Sequence, residues 1–137
     1  MKKVYDTINQ YCVEHELLTN GDGIVIGLSG GMDSVCLLQV LAALRNEWQL
    51  RLVCVHVHHG IRGTAADEDA AFAQRLAAKY NISFRLYEMD IPQLAKEQGL
   101  SEEEAGRNYR YRCFEEVRKE LNFDKIAVAH HRDDQAE

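Results

Sequence analysis

The sequence predicts a doubly wound parallel α/β sheet with helices on both faces. Three observations carry that expectation. Strand-like runs alternate with helix-like stretches, the order that builds βαβ units. The runs Ile24-Val25-Ile26-Gly27-Leu28 and Leu52-Val53-Cys54-Val55-His56-Val57 are apolar without alternation, as strands covered on both faces must be. The residues of chemical interest, at 29–34, 56–62 and 130–135, all follow the ends of strand-like runs, the edge at which such sheets bind ligands.

The elements follow in order. Val4, Ile8, Tyr11 and Cys12 recur at helical spacing and predict an amphipathic helix over 2–18. Asn20-Gly21-Asp22-Gly23 is a turn signal before the first strand. Val35 to Leu44 is apolar except for Gln39, which predicts a helix buried against the sheet. After the second strand, a polar loop from His58 to Ala66 leads into a helix beginning near Asp67, with Phe72, Ala73, Leu76 and Tyr80 facing inward. Ile82 to Tyr87 reads as the third strand. Ser101-Glu102-Glu103-Glu104 matches a capping box and opens a helix to about Leu121. Lys125 to Ala129 reads as the fourth strand, ending at His130-His131.

The 137 residues make one domain's worth of chain, enough to bury a core. Sixteen basic residues against 22 acidic give a net charge of −6. A protein that coats nucleic acid carries the opposite sign, so that class is disfavoured. An enzyme that touches RNA at one spot is not. Cys12, Cys36, Cys54 and Cys113 are widely separated and form no CxxC pair. Cys36 and Cys54 sit in apolar runs, which predicts buried thiols, a reducing cytoplasmic setting and neither a disulfide frame nor a zinc knuckle. Lys2 and Lys3 precede no signal-like apolar region, and no run approaches membrane-spanning length.

The segment Gly27-Leu28-Ser29-Gly30-Gly31-Met32-Asp33-Ser34 joins a strand to a helix. Adjacent glycines let backbone N–H groups close on a bulky anion, and the helix adds its positive amino end. Ser29 and Ser34 can donate hydroxyl hydrogen bonds to phosphate oxygens. A Walker A loop needs lysine where Asp33 stands. A carboxylate beside phosphates makes sense if it holds Mg²⁺, which offsets their charge.

The hexapeptide Ser29 to Ser34 resembles the signature of the PP-loop ATP pyrophosphatases. Three further motifs, in order and spacing over residues 23 to 137, resemble the lysidine synthase branch of that family. They are His56-Val57-His58-His59-Gly60-Ile61-Arg62-Gly63 followed by Asp67, Glu104-Ala105-Gly106-Arg107-Asn108-Tyr109-Arg110-Tyr111, and His130-His131-Arg132-Asp133-Asp134-Gln135-Ala136-Glu137. The resemblance implies an adenine nucleotide alpha-hydrolase-like fold and an ATP-dependent carbon–nitrogen ligase. Such an enzyme adenylates the C2 oxygen of the wobble cytidine in isoleucine tRNA with a CAU anticodon, then lets the ε-amine of L-lysine displace AMP.

By motif correspondence, Ser29, Gly30, Gly31, Met32, Asp33 and Ser34 would bind the pyrophosphate of ATP, and Asp33 and Asp134 would share Mg²⁺ or the catalytic work, with Arg107 and Arg110 also catalytic. Arg107 and Arg110 would counter charge on the adenylate or RNA. His56 and Val57 would border the adenine. Two departures stand out: His58 occupies a place where the family usually has asparagine, and Gly106 replaces a more usual alanine. The resemblance also implies that the 137 residues are the amino-terminal part of the ATP-binding domain, in the strand order 3-2-1-4-5. More of that domain and the tRNA-binding domains would lie elsewhere. Isolated, the chain would hold most of the ATP chemistry and not the tRNA recognition. A homodimer is compatible with this reading.

Plainer alternatives stand beside these. Glu103 lies four residues before Arg107, the spacing of an exposed helix ion pair. Arg107, Arg110 and Tyr111 share one helical face, while Ala105, Tyr109 and Cys113 form the stripe expected to pack. His56 could serve a hydrogen-bonded structural role, and the histidines with Asp133 or Asp134 could hold a transition metal. Asp133-Asp134 could cap a helix. At the level of function, the alternatives are another PP-loop enzyme, such as a tRNA thiolase, and a non-enzymatic nucleotide-binding module. Thiolases often carry CxxC pairs, which this chain lacks.

Overall fold

Strands that are apolar on both faces need cover on both faces, and the chain supplies it in two layers. The computed structural model describes residues 18–28, 32–60 and 65–128, without the side chains of Met32 and Asp33. The helix expected over 2–18 lies outside the described residues except at Leu18.

In chain order the elements are β1 (Gly23–Gly27), α1 (Met32–Trp48), β2 (Arg51–His58), α2 (Ala65–Lys79), β3 (Ser83–Glu88), α3 (Ile91–Gln98), α4 (Glu102–Leu121) and β4 (Lys125–Val128). The four strands form one sheet in the order β3-β2-β1-β4, with every pairing parallel. Register runs from Gly23 opposite Arg51 to Gly27 opposite Val55, and from Ile24 opposite Lys125 to Gly27 opposite Val128.

Strand parity sorts the core. Ile24, Ile26 and Cys54 face one way and meet Leu38, Leu41 and Leu44 of α1 and Ala73, Leu76 and Ala77 of α2. Val25, Val53 and Val55 face the other way, against Phe114 and Val117 of α4. The winding reverses between β1 and β4, so the crevice of this sheet lies at their carboxyl ends. Burial lifts the Cys54 thiol to about 12, an inert core group.

Three expectations need correction. Phe72 is exposed, at 37 %. The buried stripe of α2 runs instead through Ala70, Ala73, Leu76 and Ala77, because small residues let the helix approach the sheet. The polar loop is shorter than expected: His58 still belongs to β2, and α2 begins at Ala65. β3 is not covered on both faces; it is an edge strand of intermediate and exposed residues, with Leu86 50 % exposed.

α3 was not anticipated at all. Asp90 caps it by accepting the Gln93 N–H at 3.1 Å, Pro92 fits its first turn, and Gly99 ends it in the left-handed region at φ 67. The capping box opening α4 is half realised: the Ser101 hydroxyl accepts the Glu104 N–H at 3.1 Å.

Candidate nucleotide site at the carboxyl edge

β1 is short, and its two terminal glycines fix how α4 crosses it. A Cβ on Gly27 would stand 2.6 Å from Cζ of Phe114, and a Cβ on Gly23 would stand 2.5 Å from Cδ1 of Phe123. Both phenyl rings therefore lie directly on the strand backbone. α4 runs antiparallel to β1, with its amino-terminal half toward the carboxyl edge. Arg110 and Arg107 precede Phe114 by four and seven residues, roughly 6 and 10 Å further along the helix axis. That carries them past the end of β1, on the side from which the glycine-rich segment leaves. Both are half-buried.

Only four residues separate Gly27 from Met32, the first residue of α1. The amino end of a 17-residue helix follows β1 here, and such an end offers N–H groups and a positive dipole to an anion. Ser34 lies in the first turn of α1 and is 2 % exposed. Asp33 shares that turn. Ser29, Gly30, Gly31, the Asp33 side chain and Asp134, with the rest of 129–137, lie outside the described residues. Among the described residues no three His, Cys, Asp or Glu side chains gather as a metal-holding group.

The described residues hold the backbone at the end of β1. Leu28, between β1 and the glycines, has both backbone groups held by β2: its N–H donates to Val55 O at 2.9 Å, and its carbonyl accepts from His56 Nδ1 at 2.7 Å. His56 is buried at 5 % exposure, and burial lowers its pKa from 6.5, partly offset by the bond to Leu28.

His58, two residues on and on the same face, is 2 % exposed and bonded at both nitrogens. Nδ1 accepts the Gly60 N–H at 2.9 Å, which leaves the proton on Nε2 to be donated to Asp67 at 2.6 Å. The role left open by the departure from asparagine is thus visible: His58 ties the end of β2 to the first turn of α2.

The turn beyond is equally constrained. Gly60 has φ 92, and a Cβ there would lie 2.7 Å from Cα of Asp90 and 2.7 Å from the Met89 carbonyl oxygen. The His58 and His59 carbonyls accept the N–H groups of Met89 and Ile91. α3 is thereby hung on the end of β2. Its buried Ile91 and Ala95 pack against Ala105 of α4, and α4 carries the arginines. A Cβ on Gly106 would sit 3.6 Å from Arg110 Nη1, 3.7 Å from Ile91 Cγ2 and 3.9 Å from His59 Cε1. Those are ordinary contacts, so alanine would fit. They also show His59 and Arg110 meeting over one spot. Burial, then the neighbouring Arg110 charge, lowers the His59 pKa from 6.5. In the sequence His59 stands within a motif and among the histidines of a possible metal site; its neighbour across the fold depends on α3, which hangs from the end of β2.

Val57 is buried on the α4 face of β2. Ala105 and Cys113 are buried and Tyr109 is half-buried, the packing stripe expected of α4.

An open parallel sheet with helices on both faces, whose first strand leads into a helix at the switch point, defines a doubly wound α/β domain. The chain belongs to the PP-loop domain family, an ATP-binding family that it matches over residues 2–137. It is 47% identical over 137 residues to the tRNA(Ile)-lysidine synthase of Caldanaerobacter subterraneus subsp. tengcongensis, and 43% identical over 136 residues to that of Clostridium perfringens. Those alignments cover 100% and 99% of this chain and 28% of each relative, so the chain spans about 28% of the length of these curated relatives. Among solved structures, a U34-tRNA thiolase from Methanococcus maripaludis superposes with TM-score 0.76 at 21% identity, over 97% of this chain and 45% of that one. An NH3-dependent NAD synthetase from Campylobacter jejuni superposes with TM-score 0.63 at 20% identity, over 94% and 55%. The two superpositions speak for the fold alone.

Proposed function

We propose that the chain carries the ATP half of a tRNA(Ile)-lysidine synthase, as the amino-terminal part of that enzyme's ATP-binding domain. The observation that carries this reading is the alignment of the whole chain with lysidine synthases at up to 47% identity. In the reaction the wobble cytidine C2 oxygen attacks the α-phosphorus of ATP, pyrophosphate leaves, and the lysine ε-amine then displaces AMP.

The chain's own residues would divide the work by position. Ser29, Gly30, Gly31 and Met32 would wrap the pyrophosphate at the amino end of α1, with Ser34 donating from the first helical turn. Asp33 and Asp134 suit Mg²⁺, a hard cation that takes carboxylate and phosphate oxygens, and its charge would offset that of the phosphates. Arg107 and Arg110 would face the anion from α4, opposing negative charge on adenylate or RNA. Val57, beside His56 at the end of β2, would border the adenine. Isoleucine tRNA and L-lysine would be the partners. The net charge of −6 fits a segment that leaves most of the RNA phosphate contact to other parts of the enzyme.

The test uses the chain within its full-length protein, given ATP, labelled lysine and isoleucine tRNA with a CAU anticodon, with Asp33→Ala as control. Incorporation of lysine by the parent and its loss in the variant is expected. No incorporation by the parent contradicts the lysidine reading; pyrophosphate release with a different acceptor points to another PP-loop enzyme.

A further inference from the structure

We propose that His56 is a positioning residue for the phosphate-binding loop, acting through the carbonyl of Leu28 rather than by touching the nucleotide. The proposal rests on the reading of residues 29–34 as that loop.

Three observations carry it. Leu28 is the last residue before the glycine-rich segment, and its carbonyl oxygen lies 2.7 Å from His56 Nδ1. Its N–H is already taken by Val55 O, so β2 holds both polar groups of this one residue. Both partners are buried, His56 at 5 % and Leu28 at 4 % exposure, so water does not replace the bond when it is lost. A backbone carbonyl can only accept. Nδ1 must therefore carry the proton, and the ring's other nitrogen, Nε2, is left without one in the neutral ring.

Because a peptide group is planar, holding the Leu28 carbonyl fixes the plane in which the chain leaves β1. A loop that binds pyrophosphate through backbone N–H groups depends on that plane more than on any single side chain. An apolar residue at this place would keep the strand's packing and orphan the carbonyl.

The geometry separates this role from direct contact with adenine. Asparagine can place its amide nitrogen where Nδ1 now stands, one bond beyond Cγ. Glutamine places it one bond further out. The experiment measures ATP and inorganic pyrophosphate binding by calorimetry for the chain and for His56→Leu, His56→Asn and His56→Gln, with Ser34→Ala as control and urea midpoints for each.

Positioning predicts that His56→Leu weakens ATP and pyrophosphate alike, by about tenfold. His56→Asn should restore both to within about threefold, and His56→Gln should not. If His56→Leu does not fold, the contrast of asparagine with glutamine decides alone. A loss confined to ATP, with pyrophosphate affinity unchanged, would overturn the proposal in favour of adenine contact. Unchanged affinities in all three His56 variants, with Ser34→Ala weakened, would overturn the His56 role and leave the loop reading standing. A parent that binds neither ligand would overturn both.

Discussion

The two ends of the sheet spend their polar groups in opposite ways. At the amino ends, acids and bases neutralise one another. Asp22, 6 % exposed, accepts the Thr19 N–H at 2.8 Å and the Lys125 ammonium. Asp124 accepts the Gly23 N–H at 2.8 Å and pairs with Arg51, whose guanidinium also lies over the Phe123 ring. At the carboxyl ends, His56 holds a carbonyl, His58 bridges Gly60 to Asp67, and His59 stands beside Arg110. One edge closes β1, β2 and β4 on each other. The other fixes its backbone through histidines. The contrast predicts that stability and ligand binding can be separated by mutation.

The largest effect should come from a residue of the carboxyl edge that is structural. Gly60→Ala forces a Cβ into the Met89–Asp90 backbone at a positive φ, and about 3 kcal/mol of stability should be lost, read by urea unfolding. It should also uncouple α3 from β2 and weaken ATP binding, the one case in which the two properties fall together.

Asp22→Ala removes the acceptor shared by Thr19 and Lys125 and should cost about 2 kcal/mol. ATP affinity should stay unchanged in calorimetry; a parallel loss would break the division of labour. Arg110→Ala should do the reverse, weakening ATP or adenylate-analogue binding about tenfold while the urea midpoint moves little.

The pH dependence should be smaller and of fixed sign. His56 and His59 both have pKa values below the unfolded 6.5, so the unfolded chain takes up protons first on acidification. Their contribution is complete above pH 6.5 and is lost as pH falls through the lowered folded values. Urea midpoints measured from pH 7.5 to 5 should fall, and the slope should be shallower in His56→Asn. The smallest effect belongs to Arg51→Ala. Its pair with Asp124 is half exposed, and the cost should be about 0.5 kcal/mol and shrink in high salt.

The sheet was legible in the sequence because β1 and residues 52–55 of β2 are apolar without alternation, as doubly covered parallel strands require. The glycine-rich segment stands out in the sequence because its residues lie consecutively, and its residues 29–31 lie outside the described residues. What escaped was short or non-local. α3 has eight residues, too few for periodicity to announce it, although Asp90, Pro92 and Gly99 mark both its ends. Phe72 looked like core because apolarity was counted before size, and the close approach of α2 selects alanine. The bond of His56 to Leu28 and the approach of His59 to Arg110 join residues 28 and 51 positions apart. No local pattern announces them; they follow from β1–β2 pairing and from α3 holding α4 in place.

The most direct test of the account is to titrate ATP with Mg²⁺ into the isotope-labelled chain and follow its backbone amide resonances. Shifts should concentrate at Leu28, Ser34, His56 to Gly60 and Arg107 to Tyr111, with Asp22, Gly23, Arg51 and Lys125 unmoved. Shifts centred on the amino edge, or none at millimolar ATP, would contradict it.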